Sequence, residues 1–93
     1  MERVLQMNEK ICVVGLGYIG LPTASLLATK GFQVYGVDVN ESAVEMINSG
    51  KVHIYEPDLD IMVKAAVQSG NLKAGVVPET SDIFILAVPT PFK

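Results

Sequence analysis

The 93-residue chain has no tryptophan, a single cysteine and a single histidine, and it contains no apolar run of bilayer length. Each shortage excludes a class of function. With Cys12 alone, neither an internal disulfide nor a cysteine zinc site can form. His53 has no second histidine and no cysteine nearby, so neither a metal nor a catalytic role is expected of it. The longest apolar runs, 83–88 and the glycine-interrupted 11–16, fall far short of the roughly 20 residues that span a membrane. The first ten residues carry acids and amides where a signal peptide needs an apolar core, which places the expected location in the cytoplasm. Basic side chains are scarce too: seven face ten acids, for a net charge of −3. Glu41, Glu45, Glu56, Asp58 and Asp60 gather with only Lys51 among them, whereas a nucleic-acid groove needs the opposite sign. Neither nucleic acid nor membrane is expected as a partner.

What the chain has in quantity is apolar surface. Hydrophobic residues make up 49% and charged residues 18%, too apolar a balance for a disordered segment. The length suits one small domain or a piece of a larger one, able to bury about 64% of its extended surface. Residues 10–14 form a short β-branched run that reads as a strand buried on both faces. A helix is expected from near Tyr18, with Gly20, Ala24 and Ala28 on one face, Pro22 in its first turn and Gly31 at its end. Residues 32–37 read as a second strand ending at Asp38, followed by a helix capped by Asn40, turned inward at Val44 and Ile47, and stopped by Gly50. Pro57 is expected at the first position of a third helix, whose stripe is Leu59, Met62, Val63, Ala66 and Val67. A weak strand over 72–77 and a strong, fully apolar one over 83–88 complete the order βαβα-α-β-β. Alternation of this kind implies a parallel sheet, and the fold class expected is α/β, a Rossmann-like half of a doubly wound domain.

The glycines at 15, 17 and 20 spell G-x-G-x-x-G between a strand and a helix, and Asp38 closes the next strand 18 residues past the last of them. Each glycine has its own reason: Gly15 for the tight turn, Gly17 for close approach of a pyrophosphate, Gly20 for helix packed on strand. No lysine or arginine lies between Cys12 and Thr29, so phosphate would be met by free N–H groups and the positive helix end. A carboxylate at Asp38 suits the ribose hydroxyls of NAD, whereas a 2′-phosphate would meet like charge with no arginine following. NAD is therefore the expected cofactor. Tyr18 and Ile19 either touch it or pack, a choice the residues leave open. Thr90 lies just beyond the carboxyl end of the strong strand, where open α/β sheets bind ligands. Cys12 reads as core, and Glu56, Asp58 and Asp60 as a solvated first helical turn.

Three stretches then carry a resemblance: residues 14–22 (VGLGYIGLP), 53–59 (HIYEPDL) and 87–93 (AVPTPFK). Together they resemble the UDP-glucose/GDP-mannose dehydrogenase family, most of all its branch acting on UDP-N-acetyl-D-mannosamine. The resemblance implies oxidation of the C6 alcohol of a UDP-sugar to the carboxylate with two NAD per turnover, in the synthesis of surface polysaccharide. It implies contact with NAD for Tyr18, Ile19, Asp38 and Thr90, and catalytic residues downstream of this chain, Cys12 not being the nucleophile. Residues 1–93 are accordingly expected to be the N-terminal part of an NAD-binding domain, without the dimerisation and nucleotide-sugar domains and inactive by themselves. A homo-oligomer is expected, with self-association through the strand at 83–88, which lies at an open sheet edge. Two other readings use the same motif: a non-enzymatic nucleotide-sensing module, and another dehydrogenase such as a 6-phosphogluconate-type enzyme.

Overall fold

The computed structural model describes residues 9–88. Its elements are β1 (Lys10–Val14), α1 (Gly20–Thr29), β2 (Gln33–Val37), α2 (Glu41–Asn48), α3 (Leu59–Gln68), β3 (Leu72–Gly75) and β4 (Ile83–Leu86). The four strands form one sheet in the order β3-β2-β1-β4, every pair parallel. β1 is central, with Cys12 opposite Tyr35 on one side and Phe84 on the other. The chain therefore winds outward from β1 to β3 and then crosses back to open the opposite side, as in the first half of a doubly wound sheet.

The two crossovers that travel from β1 to β3 bring all three helices to one face. There Ile11, Val13, Val34 and Leu72 from the sheet meet Leu21, Ala24, Ile47, Leu59 and Val63 from the helices in one apolar core. Gly20, Ala24 and Ala28 are all buried along α1, so the small-residue face does lie on the sheet. Asn40 caps α2, its side chain accepting from the Ala43 N–H at 3.1 Å, and Val44 and Ile47 point inward. The helices stop at glycines in the left-handed region, Gly31 among them at φ 104°. The connection from β3 to β4 has no helix; it is pinned to the start of β1, where the Lys10 N–H donates to Asp82 Oδ2 at 2.7 Å.

Several boundaries differ from the sequence reading. α1 begins at Gly20 rather than near Tyr18, leaving Tyr18 and Ile19 in the turn before it. Pro57 is not the first residue of α3: the helix starts at Leu59, and Leu59 N–H donates to the Glu56 carbonyl at 3.2 Å. Residues 56–59 thus make a type II turn with Pro57 second and Asp58 third, at φ 65° and ψ 0°. The same fixed φ that suits proline to a helix start also suits it to this turn. β3 ends at Gly75 and β4 at Leu86, short of the expected 77 and 88. Along the fully apolar β4, Ile83 and Ile85 face the core while Phe84 and Leu86 are exposed.

Candidate functional site

The site forms where β1 and β2 end. Gly15 turns the chain at φ 98°, its N–H donating to the Val37 carbonyl at 2.8 Å. A side chain there would be strained by that φ, and its Cβ would lie 2.8 Å from the Ala87 carbonyl oxygen. At Gly20 an added Cβ would overlap the Gly15 carbonyl oxygen, so helix and turn are in direct backbone contact. Around Gly17, by contrast, nothing stands within 4 Å of where a Cβ would be. The first and last glycines of the motif are thus packing requirements, and the middle one faces open space.

That space is a cleft of about 670 Å³, walled by the turn 15–19, by Asp38 and Val39 after β2 and by Ala87 and Val88 after β4. Asp38 is held from two sides. Its Oδ2 accepts from the Leu16 N–H at 2.9 Å, and its Oδ1 from the Asn40 N–H at 3.0 Å. The carboxylate closing β2 is therefore in direct contact with the glycine turn, and its position is fixed before any ligand arrives. α1 has no acid in its first turn and no side-chain cap. Among the described residues, the N–H groups of Gly17, Tyr18, Ile19 and Gly20 meet no protein acceptor. They give the cleft a partial positive charge at the helix end, with a single carboxylate, Asp38, held against the same turn. Bare amides for a diphosphate, a carboxylate for sugar hydroxyls and open room at Gly17 together fit a dinucleotide.

Of the residues singled out from sequence, the structure brings Gly15, Gly17, Tyr18, Ile19 and Asp38 around this one cleft. Gly20 lies behind it, and Thr90 falls outside the described residues. Tyr18 and Ile19 are 61% and 70% exposed, so neither is a core residue. Cys12 is fully buried in mid-sheet, and His53 lies outside the cleft. Among the described residues no group of three or more potential ligands gathers for a metal. The sequence reading missed Leu16, Val39, Ala87 and Val88 as walls of the cleft. Their signal was positional, since Val39, Ala87 and Val88 each follow the carboxyl end of a strand.

The fold and this site define a dinucleotide-binding half-domain. Residues 9–93 match the model of the UDP-glucose/GDP-mannose dehydrogenase family, NAD binding domain, and the chain belongs to that family, with NAD as its cofactor. It is 58% identical over 89 residues to a UDP-N-acetyl-D-mannosamine dehydrogenase of Campylobacter jejuni, a match covering 94% of this chain and 22% of that protein. It is 55% identical to an NDP-N-acetyl-D-galactosaminuronic acid dehydrogenase of Ralstonia nicotianae, over 99% of this chain and 22% of the relative. The structure of a UDP-N-acetyl-mannosamine dehydrogenase from Staphylococcus aureus superimposes with a TM-score of 0.85 at 48% identity, over 88% of this chain and 20% of that one. The chain thus spans about a fifth of the length of these relatives.

Proposed function

We propose that residues 1–93 form the N-terminal part of the NAD domain of a nucleotide-sugar 6-dehydrogenase, and that they hold the adenosine and diphosphate half of the cofactor. The supporting observation is the pairing of Asp38 with the glycine turn: Leu16 N–H to Asp38 Oδ2, 2.9 Å, beside the free amides of residues 17–20. In this reading the amides after Gly17 receive the diphosphate, Asp38 accepts from the ribose hydroxyls, and Tyr18 and Ile19 border the diphosphate. Thr90 is a further contact on the strength of its place after β4. Bound NAD would serve as the oxidant of the reaction. None of these residues is assigned a catalytic role.

The substrate we propose for the longer protein is UDP-N-acetyl-D-mannosamine, oxidised at C6 to the uronate for surface polysaccharide, with the dimerisation and sugar-binding domains outside this chain. The relatives named for mannosamine support it. Among the described residues no helix is long and apolar enough to cross a membrane. We place the protein in the cytoplasm, where the NAD pool is held, as a homo-oligomer.

Calorimetry on the chain with NAD, ADP-ribose and NADP tests the site. NAD and ADP-ribose should bind alike and NADP more weakly. Asp38→Ala should cost NAD about 10- to 100-fold, the worth of hydrogen bonds to a charged group. Equal affinity for NAD and NADP, or an Asp38→Ala variant that binds as the parent does, would overturn the assignment.

A further inference from the structure

A sheet edge leaves a row of backbone donors and acceptors unpaired, a template for further strands unless something closes it. The two edges here, β3 and β4, are finished differently. β2 takes its bonds from β3 at Asn71 and Gly75, whose carbonyls accept from Val34 N–H at 2.8 Å and Asp38 N–H at 3.1 Å. Alternate residues of a paired strand face opposite ways in the sheet plane, so Ala74 turns its N–H and C=O away from β2, to the free edge. Both are nonetheless engaged. Asn48, the last residue of α2, donates from Nδ2 to the Ala74 carbonyl at 2.9 Å, and its Oδ1 accepts from the Ala74 N–H at 2.9 Å.

We propose that Asn48 is an edge plug: its carboxamide takes the place of a neighbouring strand's peptide group and closes β3 to strand addition at Ala74. An amide is the one uncharged side chain that offers a donor and an acceptor side by side as a peptide does. The reverse orientation of the amide would set donor against donor, so the pairing fixes which atom is oxygen. α2 supplies the placement, because burial of Val44 and Ile47 against the sheet and the stop at Gly50 leave residue 48 beside β3. At the other edge, Ala87 N–H donates to Val14 at 2.8 Å, which turns the alternate residues Phe84 and Leu86 outward. Among the described residues no side chain bonds to them. The β3 edge is therefore blocked at Ala74, whereas β4 carries no such block among the described residues.

Amide hydrogen exchange followed by NMR, at a concentration where the chain is monomeric, tests the proposal on the unaltered protein. After correction for intrinsic rates, Ala74 should exchange about 2- to 10-fold more slowly than Phe84 and Leu86, a factor set by the net worth of one hydrogen bond. Equal rates at the three positions would overturn it. Asn48→Ala should bring Ala74 to the rate of Phe84 and Leu86. Asn48→Asp, which keeps the acceptor and loses the donor, should leave Ala74 protected. Protection surviving in Asn48→Ala counts against the plug. Should that variant fail to fold, the comparison within the unaltered chain decides.

Discussion

At the residue scale, the three glycines of one motif separate by what surrounds them. An alanine at Gly20 must displace the backbone of Gly15, whereas one at Gly17 meets only the cleft. Gly20→Ala should lower the melting temperature by roughly 5–15 °C, as overpacking of about 1–3 kcal/mol does in a domain this small. Gly17→Ala should leave stability within about 0.5 kcal/mol of the parent, as for an exposed position, yet weaken NAD roughly tenfold. Thermal melts and calorimetry on the two variants would show the contrast, and a Gly17→Ala chain that bound NAD normally would remove Gly17 from the site. Their spacing is plain in the sequence; which of them packs and which faces the open cleft is given distances only by the fold. Gly36 went unremarked. Yet an added Cβ there would lie 2.8 Å from Leu16 Cδ2, so this glycine admits the buried side chain of Leu16, the residue whose backbone N–H holds Asp38. A glycine inside a strand pattern was the available sign of that close approach.

At the scale of elements, caps and periodicity carried most of the reading, because they are local. Asn40, the α1 face of small residues and the glycine stops all depend on neighbours within a turn or so of chain. The start of α3 does not yield to that logic. Pro57 accepts either a helix start or a turn, and the choice falls to how the connection from α2 enters α3. The result sets Asp58 in the left-handed region at φ 65°, a conformation that costs a side chain about 1–2 kcal/mol and glycine almost nothing. Asp58→Gly should therefore stabilise the chain by about 0.5–1 kcal/mol after the extra chain entropy of glycine, raising the melting temperature by a few degrees. A lower melting temperature in that variant would show that the Asp58 side chain contributes more than its backbone costs.

At the scale of the whole molecule, the three helices among the described residues all lie on one face of the sheet. On the other, Tyr35, Cys12 and Phe84 stand in a row across three strands, with Val37, Val14 and Leu86 in the next, and among the described residues no helix lies over them. Cys12 is fully buried, while Leu86, in the next row, is 73% exposed. With β3 blocked at Ala74 and β4 without such a block among the described residues, copies of the chain should associate along β4, so the light-scattering mass should rise with concentration. Leu86→Lys should hold the chain monomeric with an unchanged melting temperature, since the side chain is outside the core. A monomer at high concentration in the unaltered chain would refute the association. The amino-acid order by itself determined the parallel α/β class, the glycine turn and the acid that closes the second strand, because spacing along a chain dictates periodicity and local hydrogen bonding. Tertiary structure alone decided that Asp38 reaches the Leu16 amide and that Asn48 meets Ala74 26 residues away. Those contacts join segments whose separation in sequence carries no local signal, and only the packing of helices on strands brings them together.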